Sequence, residues 1–136
     1  MLAFRDGNFT VRLPMDWEET DGRIAETFNQ AIAQKQRTTH EVLRLSASVG
    51  REGRLRQRMS MPGALGEWAV EAEAFNNLID DLVRPTTEIA RTIGAVAKGD
   101  LGQPMELEVD GRVLAGEFLR SAKLINTMIE QLSDRA

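Results

Sequence analysis

Few side chains in this sequence could carry chemistry, and His40 is the first to consider. It is the only histidine of the chain. A histidine on a helix can accept a phosphoryl group, and Glu41 completes a His-Glu pair of the kind that does so. Against this, Arg44 stands one residue late for that pattern and no proline follows it. A surface histidine is therefore the favoured interpretation, and a phosphoacceptor is the alternative.

Paired carboxylates are the other candidates, either as acid/base groups or as metal ligands. Glu18-Glu19 and Asp80-Asp81 are such pairs, but both fall near predicted helix starts or on polar flanks, where solvation explains them. The lack of cysteine excludes disulfides, thiol catalysis and cysteine-ligated zinc. A net charge of -4 with both signs interspersed argues against nucleic acid as the main partner. We therefore expect no enzyme activity, no metal site and no cofactor.

A short pattern that begins with glycine recurs three times, and a second pattern follows each copy. The glycine patterns are Gly7-Asn8-Phe9, Gly53-Arg54-Leu55 and Gly99-Asp100-Leu101, with the glycines 46 residues apart in both intervals. The following pairs are Phe28-Asn29, Phe75-Asn76 and Ile125-Asn126. A fixed period in so short a chain is typical of a repeat array. The two patterns lie 21, 22 and 26 residues apart, so the third copy has a lengthened connector, with its extra residues expected around 112–116.

Helical periodicity is strong over about 18–49 and 67–96, and again near 118–132. Residues at alternating spacings of three and four form one narrow, mostly apolar stripe along each helix, which we call the seam. Its members are Ile24, Phe28, Ala31, Lys35, Thr38, Val42, Leu45 and Val49, then Ala72, Phe75, Ile79, Leu82, Thr86, Ile89, Ile93 and Val96, then Phe118, Ala122, Ile125, Ile129 and Leu132. Such a seam is typical of coiled coils and favours pairing between chains. The polar members Lys35, Thr38 and Thr86 are expected to set register or, alternatively, to loosen the packing between units.

Extended connectors are predicted between the helices, because apolar residues there recur at every second position. In the first connector these are Phe9, Val11, Leu13 and Met15. Each connector follows a glycine, which lets the chain leave a helix through a left-handed conformation at little steric cost. The 14 residues from Gly53 to Glu67 reach roughly 45 Å, whereas a helix of about 15 residues is roughly 22 Å long. The connector can therefore return along its helix, so consecutive helices should be parallel.

Helix, glycine exit, extended connector and parallel second helix together resemble the HAMP domain, the signal-relay module of sensor kinases and chemoreceptors. In that family a glutamate commonly stands eight residues before a Phe-Asn pair, as Glu67 does before Phe75 and Glu117 before Ile125. The first copy departs from the pattern, with Thr20 at that place. Over nearly the whole chain, the sequence resembles the tandem HAMP region of large bacterial hybrid sensor histidine kinases.

The resemblance implies an all-α fold in which a parallel homodimer forms HAMP-type four-helix bundles, with two helices from each chain. The units would be 1–36 with a truncated first helix, 37–83 and 84–136. Arg84-Pro85 is similar to the start of the family's first helix, and Pro85 is interpreted as a joint within the second long helix. The residues expected to carry the function are Gly7, Gly53, Gly99, Glu67, Glu117, Phe28, Asn29, Phe75, Asn76, Ile125, Asn126 and Pro85. Glu67 and Glu117 should bond near the connector or the helix start.

The implied function is a mechanical relay, in which displacement or rotation of helices at one end alters their packing at the other. A downstream histidine kinase domain of the parent protein would respond. The alternative is a static coiled-coil scaffold that only holds dimers together. The implied partners are a second copy of the chain and that kinase domain, without nucleic acid. No apolar run approaches the ~20 residues of a membrane span, so we expect a soluble segment. The resemblance implies a cytoplasmic location, whether or not the parent protein is membrane-associated.

Overall fold

The computed structural model describes residues 1–135, most of which lie in helices. Helices occupy the two long heptad stretches and the shorter third one, as predicted. In chain order the elements are α1 (Leu2–Arg5), α2 (Glu19–Leu45), a π-helical turn (Ser46–Arg51), α3 (Glu67–Ala97), β1 (Glu108–Val109), β2 (Arg112–Val113) and α4 (Gly116–Arg135). The chain divides into two compact units, Met1–Asn76 and the part from Asn77 onward, and α3 belongs to both. The finer division into 1–36, 37–83 and 84–136 stays a prediction.

The first long helix ends differently from its prediction. The α-helical part stops at Leu45 instead of continuing to about Val49, and the next six residues form the π-helical turn. Within it the Glu52 N–H donates to the carbonyl oxygen of Ala47, five residues back, at 3.0 Å. The apolar pattern could not reveal this change, because Leu45 and Val49 fit the heptad whichever carbonyl accepts the bond.

The third connector contains a short antiparallel hairpin, where the sequence predicted only a lengthened extended segment around 112–116. Glu108 pairs with Val113 and Val109 with Arg112. The two turn residues, Asp110 and Gly111, have φ angles of 51° and 79°. Two consecutive positive φ angles characterise the type I′ turn, for which Asp-Gly is a favoured sequence. The extra length is thus folded back on itself and begins earlier than expected.

The connectors supply much of the core. In the first unit, the buried apolar residues are Ala25, Ile32, Leu45 and, from the connector, Met59. In the second unit, Met105 and Leu114 of the connector and Ala122 of α4 form a cluster that Ile89 of α3 covers from the other side. Apolar burial of this kind holds a connector against two helices without a sheet.

Contacts along the connector establish the direction of the helices in the second unit. From Gln103 to Asp110 and Arg112, the connector meets successively earlier residues of α3, at Arg91, Arg84 and Asp81. Met105 bonds to Asn126, and the chain then enters α4 ten residues before that asparagine and returns to it. The connector therefore runs opposite to both α3 and α4, which makes these two helices parallel to each other, as predicted.

Candidate functional site

Each of the three predicted asparagines holds the connector that precedes its helix. The side-chain oxygen accepts a hydrogen bond from a backbone N–H, and the side-chain nitrogen donates to the carbonyl oxygen of the same residue. The pairs are Leu13 with Asn29 (2.6 and 2.9 Å), Met59 with Asn76 (2.7 and 3.0 Å) and Met105 with Asn126 (2.7 and 2.9 Å). A carboxamide suits this task because it presents an acceptor and a donor side by side. We call this two-bond contact the asparagine clamp.

The clamp has a fixed distance from the exit glycine. The clamped residue follows the glycine by six positions in all three copies, from Gly7 to Leu13, from Gly53 to Met59 and from Gly99 to Met105. From the clamped residue to the asparagine the separations are 16, 17 and 21 residues. The unequal spacing in the sequence therefore arises entirely between the clamp and the following helix.

The exit glycines adopt the left-handed conformation that their predicted role requires, with φ angles of 96°, 69° and 85° at Gly7, Gly53 and Gly99. At Gly99 the Asp100 N–H donates to the Ala95 carbonyl and the glycine N–H to the Val96 carbonyl, which is the Schellman arrangement. The Gly7 exit has the same two bonds, one from the glycine N–H and one from the N–H that follows. At Gly53 the N–H of the following residue donates to a carbonyl one position further back than at the other two exits, because this bond closes the π-helical turn.

A second backbone feature repeats at the start of each clamped helix and was not predicted. Glu19, Gly66 and Gly116 all have positive φ angles, of 52°, 57° and 56°, and each stands ten residues before its asparagine. We call this the entry position. Glycine adopts such a conformation freely, whereas Glu19 does so at a steric cost. The Gly-Glu pairs at 66–67 and 116–117 were the sequence signal for it, but only their glutamates entered the prediction.

A charged contact ties the second connector to α2. The Arg44 guanidinium donates to Glu41 at 2.7 Å through Nε and to Gln57 of the connector at 3.1 Å through Nη1. Glu41 also accepts the Ser60 N–H at 2.7 Å. The hydrogen bond from Arg44, and after it that from Ser60, lowers the pKa of Glu41 below its ordinary value, although partial burial opposes the effect. The bond to Glu41 likewise raises the pKa of Arg44.

The arginine part of this contact recurs in the second unit, where Arg91 donates to Glu88 at 3.0 Å and to Gln103 of the third connector at 3.0 Å. The sequence prediction missed both arrangements. The signal for them was the recurrence of a Glu-x-x-Arg pair, at 41–44 and 88–91, ahead of the second and third glycine exits.

The remaining predicted residues lie around the clamps. Phe28, Phe75 and Ile125 are half-buried immediately before their asparagines. Glu67 opens α3 on the surface, and Glu117 forms an exposed ion pair with Arg120 on its own helix at 3.4 Å. Pro85 is buried within α3, which continues as a helix on both sides of it.

The residues considered for chemistry in the sequence lie as follows. His40 is exposed on α2. Among residues 1–135, no three His, Asp or Glu side chains lie together in a way that could hold a metal ion. No helix in that described range is long and apolar enough to cross a membrane.

Only part of the predicted seam is buried in the folded chain. Ile79 and Ile129, each three residues after an asparagine, are buried, whereas Leu82 and Ile93 of the same seam remain 49% exposed. Other exposed apolar residues, at helical spacing, continue the exposed part of the seam along each helix. Together they form what we call the apolar stripe: Ile24 on α2, Leu78, Leu82 and Ile93 on α3, and Leu124, Met128 and Leu132 on α4.

The family to which these features belong is shown by comparison with known proteins. The model of the HAMP domain matches residues 64–133, which is just over half of the chain. This chain belongs to the HAMP family. The match begins at the end of the second connector, passes through the entry position Gly66 and the exit Gly99, and includes two of the three clamp asparagines. HAMP domains are non-catalytic signal-relay modules of sensor proteins. No solved structure matches the chain.

Proposed function

We propose that the chain is a tandem HAMP array that relays a conformational signal along a parallel homodimer. The observation that carries this proposal is the asparagine clamp, because it recurs three times with the same bonds at the same distance from a glycine exit. One of the three clamps, Leu13 with Asn29, lies outside the residues that the family model matches. The clamp is thus the unit of repetition, and the array contains three of them.

The apolar stripe supports the homodimer. A helix that packs only within its own chain would cover its apolar residues, yet Leu82 and Ile93 are half exposed although both belong to the heptad seam. A second copy that presents the same stripe would bury them and would complete four-helix bundles with two helices from each chain. The stripe gives the helices a partner-facing side, and the clamped connectors occupy the side that is already buried.

The clamps define what moves in the relay. Because each connector is bound both to its helix and to the next one, displacing one helix must carry its connector and the following asparagine helix along. The exit glycines, the clamp asparagines and their half-buried neighbours Phe28, Phe75 and Ile125 are therefore the proposed working residues. Glu67 and Glu117 would stabilise the helix starts through their charge, and Pro85 would serve as the joint in α3.

The polar residues of the seam favour two packings of similar energy. Thr38 is buried with its hydroxyl donating to the Gln34 carbonyl at 3.2 Å, and the Thr86 hydroxyl donates to the Leu82 carbonyl at 2.7 Å. Both hydroxyls are satisfied within their own helix, so neither binds the seam to a single arrangement. A relay requires states that differ by only a few kcal/mol, since a signal shifts only such equilibria.

In the parent protein, the proposed output is a cytoplasmic histidine kinase domain that responds to the packing of the array. The closeness of the motifs to tandem HAMP regions of hybrid sensor kinases supports this part of the proposal. The partners would then be a second copy of the chain and that kinase domain.

Disulfide cross-linking tests the relay against a static scaffold. The chain has no native cysteine, so single cysteines at Leu82 and Ile93, with exposed Glu73 outside the stripe as control, report stripe contacts directly. A relay should give two mutually exclusive cross-linking patterns, with opposite kinase outputs when the kinase domain is present. One invariant pattern would indicate the scaffold, and a monomeric mass by light scattering would refute the dimer.

A further inference from the structure

The hairpin of the third connector lies against the proline turn of α3. It extends from Leu107 to Leu114, whose N–H donates to the Leu107 carbonyl at 2.8 Å, and we call these residues the strap. The base of the strap is fixed, because Leu114 is buried in the same cluster as Met105 and Val109 packs against that cluster. The first two connectors contain no strand. The strap is thus a local addition to an otherwise repeated connector.

Two ion pairs of opposite polarity join the strap to α3. Arg84 Nε lies 3.0 Å from Asp110 Oδ2, so here the helix supplies the cation. Arg112 Nη2 lies 2.7 Å from Asp81 Oδ1, so here the helix supplies the anion. The two helix residues stand four and one positions before Pro85. This crossed pattern allows one register of strap against helix, because a shift would place like charges together.

The strap docks at the turn of α3 that contains its proline. Proline has no N–H, so the Asp81 carbonyl loses its intrahelical donor at Pro85. The strap binds this turn at Asp81 and Arg84, both on the N-terminal side of the proline. Pro85 itself is buried and lines a cleft of about 190 Å³ together with Val109, Leu114 and Phe118. The strap therefore supports a turn that lacks one backbone hydrogen bond.

The same contacts are weak enough to open. The four charged side chains are between 42% and 66% exposed, and exposed ion pairs add little stability and are screened by salt. Apolar packing secures the base of the strap, whereas charge alone secures its tip.

We propose that the strap is a releasable latch on the Pro85 turn. When it is docked, it holds the proline turn of α3 in its present helical form. When its ion pairs are screened or removed, the turn loses this support and exchanges between straight and bent forms. Its role in signalling rests on the proposed relay function, since the latch would decide whether a displacement passes along α3 beyond the proline.

Amide hydrogen exchange by NMR on the whole chain tests the latch. Two regions are followed at low salt: the Leu114 N–H, which reports the strap, and the amides of residues 86–89, which report the turn after Pro85. In the double variant Asp81→Asn with Asp110→Asn, both regions should exchange about two- to twentyfold faster. Raising the salt concentration should have the same effect on the unchanged chain and much less on the variant.

Two further variants complete the test. Glu52→Gln removes an ion pair of similar exposure, with Arg54, outside the strap and α3, and should leave both regions unchanged. Exchanging all four charges, by Asp81→Arg, Arg84→Asp, Asp110→Arg and Arg112→Asp, rebuilds both pairs with reversed sign and should restore protection. A strap that stays protected in the double variant, or one that opens without any change at 86–89, would overturn the proposal. Light scattering on the same samples measures the dimer separately, so failure of the relay proposal is recognised by a monomeric mass.

Discussion

The second and third connectors are built on the same plan and differ at their two ends. Both leave a helix at a glycine, both are bound by an arginine of that helix that is paired with a glutamate, and both reach a clamped methionine six residues after the glycine. The second connector is preceded by a π-helical turn, whereas the third follows a regular helix end. The third contains the hairpin, whereas the second reaches its helix directly.

This difference shows which parts of the repeat are fixed. Length varies in the helix before the glycine and in the segment after the clamped residue, but the stretch from glycine to clamp does not vary. Because the clamped segment is bound to helices on both of its sides, a residue added there would break several hydrogen bonds at once. A residue added outside it is absorbed by a wider turn or by a hairpin.

The largest expected effect is the loss of stability when a clamp asparagine is removed, which should be similar for the second and third clamps. Asn76→Ala and Asn126→Ala should each lower the free energy of unfolding by about 2–4 kcal/mol, because each leaves a partly buried N–H and carbonyl without a partner. Urea denaturation measures both losses, and exposed Asn77→Ala is the neighbouring control. If one clamp proves dispensable while the other does not, the two connectors are not equivalent and the comparison fails.

The next effect concerns the entry position, where the first copy has a glutamate and the other two have a glycine. Glu19→Gly should raise the free energy of unfolding by about 1 kcal/mol, since it removes a left-handed conformation from a residue with a Cβ atom. Gly66→Ala should lower it by about 1–2 kcal/mol for the same reason. Open space surrounds the Cβ position of Gly66, so backbone conformation alone is tested. Thermal unfolding of both variants should therefore give shifts of opposite sign.

A smaller effect concerns the difference between α2 and α3, the helices that precede the second and third connectors. Thr92 is 0% exposed and its hydroxyl has no hydrogen-bond partner, whereas Leu45 occupies the corresponding place in α2. Thr92→Val should raise the free energy of unfolding by about 1 kcal/mol, because it replaces an unpaired hydroxyl by a methyl group of the same shape. Thr38→Val is the matched control, since that hydroxyl is bonded to Gln34 and its removal should bring no gain. A loss of stability at Thr92 would imply a partner for its hydroxyl in solution.

The smallest effect is the pH dependence of the contact between α2 and the second connector. The pKa of Glu41 is lowered in the folded chain, mainly by its hydrogen bond from Arg44. A lowered carboxyl pKa stabilises the fold above about pH 5, and the contribution is lost as the pH falls below about 4. We expect less than about 1 kcal/mol, measured as the part of the acid destabilisation that Glu41→Gln abolishes. Equal acid sensitivity in the variant and the unchanged chain would assign the effect to other groups.

The helices and the asparagines were predictable from the sequence, because heptad spacing and a repeated Phe-Asn or Ile-Asn pair are properties of side chains. The residues that the asparagines bind were not, since the clamp contacts only the backbone of Leu13, Met59 and Met105. The left-handed conformation of Glu19 had no signal either, because glutamate rarely occurs there. The hairpin did have one, in Asp110-Gly111 between apolar residues, but the added length was instead assigned to the residues after it.

The π-helical turn after α2 has a consequence for how these repeats are compared. Arg44 stands nine residues before its exit glycine and Arg91 only eight, yet both reach a glutamine of their connector. In a regular helix one additional residue rotates everything that follows by about 100°. The wide turn cancels that rotation, so the connector stays on the same side of the helix. Angular phase, and not residue count, is what the repeats share, and alignments of such repeats should be anchored on the side of the helix where each connector lies.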